Sequence, residues 1–131
     1  MKNSKKPTPK PRVERTRNAA TETQSMHIGK IRSALRNISR WWKPFSVALK
    51  QASHTTFSGK VKRVVYQCAV CNKLHSRKNV EVNHIIPVGS LKTYSDLPGF
   101  CERLFVENID LLEVVCKECH AGITSEQRKK V

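Results

Sequence analysis

Val114-Val115-Cys116-Lys117-Glu118-Cys119-His120 closes a pattern that Tyr66-Gln67-Cys68-Ala69-Val70-Cys71 opens. Each stretch holds two cysteines separated by two residues. That spacing lets two thiolates point at one ion while nearby backbone N–H groups support the sulfurs. Cys68, Cys71, Cys116 and Cys119 together fill a tetrahedral shell around Zn²⁺ and leave no open position, so the expected site is structural. Such a site supplies about 10–16 kcal/mol of apparent binding free energy toward folding, and a small, loop-rich module needs it. Two disulfides are the alternative. With no secretion signal in the sequence, a reducing compartment disfavours them. A redox role is disfavoured because neither knuckle sits in a thioredoxin-like unit. The fifth cysteine, Cys101, is expected as a buried small hydrophobe. His75 is expected in a surface loop, with a ligand role in a variant site as the alternative.

The 44 residues between the knuckles exceed an ordinary zinc-finger spacer, so something is inserted there. Val80-Glu81-Val82-Asn83-His84-Ile85-Ile86 reads as a strand closed by Pro87. Val80, Val82 and His84 share one face and Glu81, Asn83 and Ile85 the other. Residues 88–99 read as a loop, Phe100 to Glu107 as a helix, Leu111 to Val115 as a short strand and Glu118 to Lys130 as a final helix. Folding the Asn83-His84 strand onto a helix pinned by zinc brings His84 and His120 together.

Working outward to the N-terminal side, the charge changes. The chain has 131 residues and a net charge of +15. Residues 1–63 carry 16 Lys or Arg against two acids, whereas residues 64–131 carry nine against eight. A protein this basic repels itself, and a polyanionic partner is the usual reason to tolerate that. Residues 1–24 have almost nothing apolar to bury and are expected to be a disordered basic tail. Residues 25–58 read as a basic helical arm. Ile28, Ile31, Leu35, Ile38 and Trp42 form one face of a helix while Arg32, Arg36 and Arg40 form another, suited to a phosphate backbone. A solvated basic face with two tryptophans in a small core is the bland alternative. Pro44 predicts a break at Lys43, followed by a short helix through Phe45, Ala48, Leu49 and Ala52. Lys60 to Tyr66 reads as a strand running into Cys68, at the start of a cysteine-bearing module over residues 59–131.

Together, the Cys-x-x-Cys knuckle, Asn83-His84-Ile85-Ile86-Pro87 and Val114 to His120 resemble the zinc-containing branch of the HNH endonucleases. More narrowly, Tyr66-Gln67-Cys68, Val80 to Gly89 and Leu104-Phe105 resemble small HNH proteins of bacteriophages. The resemblance covers about residues 60–124 and leaves the basic arm outside. It implies an α+β fold built on a ββα-metal module, with His84 as general base toward a water that attacks the scissile phosphorus. It implies His120 as a ligand, through a ring nitrogen, of a divalent cation that stabilises charge on the phosphate and leaving oxygen. Mg²⁺ or Mn²⁺ is expected, with Ni²⁺ and Zn²⁺ as further candidates. Lys73, Arg77 and Lys78 are placed to hold flanking phosphates.

Two positions depart from the family pattern. The residue before the base is usually Asp or His and binds the metal; here it is Asn83, whose uncharged amide binds more weakly, with Glu81 as a neighbour able to assist. The middle Asn often stands nine residues before the last His, a position held here by Leu111, with Asn108 and Asp110 nearby as substitutes. The expected function is a metal-dependent endonuclease acting on duplex DNA, by nicking or double-strand cleavage, in the cytoplasm (the host's, for a phage protein). A zinc-stabilised DNA-binding protein that has lost cleavage is the alternative. An RNA-binding zinc ribbon accounts for the charge and knuckles but leaves Asn83, His84 and His120 without a use. No run of eighteen apolar residues predicts a membrane span.

Overall fold

The computed structural model describes Pro7 and residues 11–129. The expected disorder of residues 1–24 therefore lies partly outside the described residues, at 1–6 and 8–10. From Arg15 to Thr23 the chain departs from that expectation and folds back on itself. Arg17 N–H and Glu22 N–H each bond the other residue's carbonyl at 3.1 Å. Glu22 is buried and paired with Lys30. The Arg17 guanidinium lies 5.1 Å from the centre of the Tyr94 ring. Polar and cation–π anchors hold a segment whose composition offers no apolar ones.

Helix α1 (Gln24–Ser39) begins where the Thr23 hydroxyl accepts from Met26 N–H at 3.1 Å, satisfying one of the unpaired donors of the first turn. Its apolar stripe works over three of the expected positions: Ile28 is buried, and Ile31 and Leu35 pack beside it. Ile38 is 62% exposed and does not join them. Helix α2 (Lys43–Ala52) carries Pro44 in its first turn, where a missing N–H costs nothing. The break thus falls just before Lys43. Trp42 donates its indole N–H to the Val106 carbonyl at 2.8 Å, whereas Trp41 is 85% exposed. One tryptophan is structural, not two.

Strand β1 (Ser53–Ser58) has no signature in the sequence, because Ser53-His54-Thr55-Thr56 has no apolar alternation. It pairs antiparallel with β2 (Val61–Gln67), and the end of β2 pairs with the two-residue β3 (Leu74–His75). A second sheet joins β4 (Val80–His84) to β5 (Leu112–Cys116), antiparallel, with Val80 opposite Cys116 and His84 opposite Leu112. β4 stops two residues earlier than expected, and the next N–H, that of Ile85, turns to the Leu111 carbonyl at 2.9 Å. Between these strands, α3 (Leu97–Leu104) starts and ends three residues early, since Pro98 suits a first helical turn. Helix α4 (Lys117–Lys129) leaves directly from β5.

The protein is thus a mixed α and β fold with two small antiparallel sheets. Ile28 of α1 is buried with Val88, Leu91, Phe100 and Leu104, and Ala48 of α2 is buried with Val106 and Leu112. The basic helices therefore share a core with the cysteine-bearing half. Phe100 has no exposed surface, and truncating such a residue to alanine costs about 3–5 kcal/mol. Among the described residues, no helix is long and apolar enough to cross a membrane.

Candidate metal centre and histidine cleft

The four knuckle cysteines converge. Their sulfurs all lie within 4.8 Å of one another, with Cys68 and Cys116 buried and Cys71 and Cys119 half-buried. The first knuckle turns through Asn72, whose φ of 62° is left-handed, a conformation asparagine tolerates better than most residues. Ala69 N–H bonds the Val114 carbonyl at 2.8 Å, tying this knuckle to β5. The second knuckle is the junction of β5 and α4. Backbone N–H groups of Val70 and Cys71 approach the Cys68 sulfur at 3.4 and 3.5 Å, and Cys119 N–H approaches the Cys116 sulfur at 3.5 Å. His75, expected as a bystander, brings Nε2 to 3.7 Å from the Cys71 sulfur.

The sulfurs compete for protons. Burial pushes the Cys68 thiol up, yet N–H donors of Cys71, Cys116 and Val70 outweigh it and hold the thiol at about 6. Cys119 is pushed up to about 12, first by its hydrogen bond to Cys116, then by desolvation and the other sulfurs. The neighbouring sulfurs thus suppress ionisation of Cys119. A divalent cation resolves the conflict by displacing the protons, and four soft sulfur donors in a closed cluster fit Zn²⁺. The cluster can hold a metal ion, structural zinc being the natural occupant. Cys101 is half-buried and outside this group, less enclosed than expected.

At the other end of β4 a cleft of about 850 Å³ opens, lined by Asn83, His84 and His120 together with Arg36, Ser90 and Lys92. His84 Nε2 lies 3.1 Å from the Leu104 carbonyl. A carbonyl only accepts, so Nε2 carries the proton and Nδ1 keeps its lone pair. The Phe45 ring stands edge-on to the imidazole at 5.3 Å. Burial pushes the His84 pKa below the ordinary histidine value; the Leu104 bond pulls it back and the Arg36 charge pushes it down again. His84 is consequently neutral near pH 7.

Asn83 is 8% exposed and donates its amide to Glu113 Oε1 at 3.0 Å. A carboxylate only accepts, so this contact fixes the amide and turns its oxygen the other way. His120 Nδ1 meets Glu81 Oε2 at 2.5 Å, which leaves Nε2 as the ring's second ligand atom. A carboxylate behind a histidine fixes its tautomer and raises its basicity toward a metal. Asn83 and His120 both line the cleft. Asn108 does not line the cleft. Its side chain accepts from Asp110 N–H at 3.0 Å and caps the short turn Ile109–Leu111, whose last carbonyl receives Ile85 N–H just after His84. It braces the backbone beside His84.

Of the cations expected on phosphates, Arg36 lines the cleft. Arg32 donates to the Leu91 carbonyl at 3.1 Å, and Arg40 caps the end of α1. Lys73, Arg77 and Lys78 sit between the first knuckle and the start of β4, at the sulfur end. Lys92 also lines the cleft, and no motif in the sequence marks it. Asp96 holds its loop by accepting from Lys92 and Thr93 N–H at 3.0 and 3.1 Å, and these bonds keep that carboxyl below the usual range. Gly89, at φ +81°, forms another part of the rim; a side chain there would be strained. Phe45 and Glu113 were equally invisible, because only tertiary structure brings them to His84 and Asn83. No family model, characterised protein or solved structure matches the chain.

Proposed function

We propose that the chain is a metal-dependent endonuclease of the HNH type that hydrolyses DNA phosphodiester bonds. The observation that carries the reading is His84. It lines an open cleft with His120, is neutral at physiological pH, and is pinned by Leu104 so that one ring nitrogen keeps its lone pair. The succession β4, β5, α4, with His84 on the first strand and His120 on the helix, supports the ββα-metal reading.

In this reading His84 Nδ1 takes the proton of a water attacking the scissile phosphorus, and Arg36 and Lys92 bind the phosphate oxygens. Asn83 and His120 would hold the divalent cation, with Glu81 and Glu113 fixing the two ligands. When bound, that ion supplies charge stabilisation at the phosphate and leaving 3′-oxygen. A positioned base contributes about 10²–10⁴-fold. Plasmid DNA incubated with the purified protein and Mg²⁺ or Mn²⁺ is expected to relax, and His84→Ala to lose that activity by this factor. Undiminished metal-dependent nicking by the variant would remove His84 from the mechanism.

The second reading, a DNA-binding protein without cleavage, rests on Asn83. A neutral amide stands where the family pattern carries a charged or imidazole ligand. Tight, salt-sensitive binding with no nicking under any divalent ion would select it.

A further inference from the structure

The β1–β2 hairpin lines neither the sulfur cluster nor the cleft. From Thr23 to Val80 the chain has no Asp or Glu, and the hairpin adds Lys60, Lys62 and Arg63 at and beside its turn. Gly59 stands first in that two-residue turn with φ +61°, the place a type II′ turn gives to glycine. Beyond His54 and Val65 the ribbon leaves the core: Thr55 to Ser58 and Val61 to Val64 are all exposed. Phe57 is 71% exposed and Val61 55%. A two-stranded ribbon wet on both faces is marginally stable by itself, and an exposed phenylalanine adds nothing to it.

The register sets the chemistry of each face. Phe57 lies opposite Lys62 beside Thr55 and Val64; on the other face Thr56 lies opposite Arg63, next to the Ser58–Val61 pair. Each face therefore offers one cation, one hydroxyl or more, and apolar surface. Cations position on phosphates, whereas hydroxyls and apolar groups meet base edges and thymine methyls. The major groove of B-DNA admits a two-stranded ribbon.

We propose that the β1–β2 hairpin is a DNA-contacting ribbon that enters the major groove of a duplex, separate from the His84 cleft. It rests on duplex DNA being the partner of that cleft, and the two can fail independently. The test is fluorescence anisotropy of a labelled duplex of about 25 base pairs, titrated with the full chain between 50 and 200 mM salt. The probes are K60Q/K62Q/R63Q and Phe57→Ala, both exposed and checked for an unchanged circular dichroism melt. Removing three phosphate contacts should lower the salt slope by about 2.7, so that the fourfold salt rise weakens binding about 40-fold less than in the unsubstituted protein. Phe57→Ala should weaken binding several-fold at every salt concentration with the slope unchanged. A wild-type slope in the triple variant overturns the ribbon, even if plasmid is nicked. So does a self-association that Phe57→Ala abolishes without loss of DNA affinity, because the hairpin then packs on a second copy. A ribbon-dependent slope without nicking sustains the ribbon and overturns the nuclease.

Discussion

At the Val80–Cys116 end of the β4–β5 pair the sheet runs into four sulfurs; at the His84–Leu112 end, about 13 Å along the strand, it opens into the cleft. The sulfur end is closed, and like donors crowd one another until a cation separates them. The cleft end is open, and its donors differ. Each is held from behind by another group: His84 by Leu104, Asn83 by Glu113, His120 by Glu81. One end is arranged so that an ion completes the fold. The other is arranged so that side chains keep their orientation without an ion. The same strands and the same α4 carry both, so the fold set by the first fixes the geometry of the second.

The largest expected effect lies at the sulfur end. Removing zinc, or introducing Cys116→Ser, should cost most of the about 10–16 kcal/mol a structural zinc contributes and unfold the chain. Circular dichroism with metal analysis checks this, expecting one tightly held zinc per chain. A chain that keeps its fold and His84 environment after zinc is stripped would break the dependence of one end on the other.

At the cleft end, Asn83→Asp should behave in the opposite way. The new carboxylate would face Glu113, losing a hydrogen bond and opposing two acceptors at a nearly buried position. The expected loss is about 1–3 kcal/mol without a divalent ion, recovered when Mn²⁺ is added. Thermal melts with and without Mn²⁺ read it. Destabilisation that Mn²⁺ leaves untouched would mean Asn83 has only a structural task. Glu81→Ala should spare the fold, since its contact with His120 is partly exposed, but weaken Mn²⁺ binding at the cleft about 10–100-fold. Titration followed by Mn²⁺ electron paramagnetic resonance measures it, and an unchanged affinity would detach Glu81 from the ligand.

The sulfur end was legible in the sequence because its chemistry is local: four cysteines in two short spacings mark a cluster that can hold a metal ion. His84 and His120 were legible once the knuckles pinned α4 to β4. What supports them was not. Glu113 and Asn83 are thirty residues apart, and Phe45 and Arg36 belong to helices that read as an arm outside the cysteine-bearing module. Their roles depend on register and packing, which amphipathic periodicity does not encode. β1 escaped because a ribbon exposed on both faces has no apolar alternation to reveal it. Asn108 was placed near the right segment, yet its work is to cap a turn, a task visible only when the Leu111 carbonyl is seen to receive Ile85 N–H.

The smallest effect tests how finely the cleft end is set. Arg36 reaches it from α1 and stabilises neutral His84 by placing a positive charge near a group that would gain one. Arg36→Gln should therefore raise the His84 pKa toward the ordinary value near 6.5 and move the acid limb of the activity profile to higher pH. Stability follows the same sign. With a folded pKa below the unfolded one, the unfolded chain binds more protons in the window beneath 6.5, so His84 favours folding above it and that share is lost as pH falls through the folded pKa. The variant should narrow this window from below. Arg36 is exposed, so its influence is screened by salt, and the difference between the two proteins should shrink as salt is raised. Proton NMR titration of the His84 ring follows both. A shift independent of salt would point to lost packing against Phe100, whose ring Arg36 overlies at 5.7 Å, and would take the charge of Arg36 out of the tuning of His84.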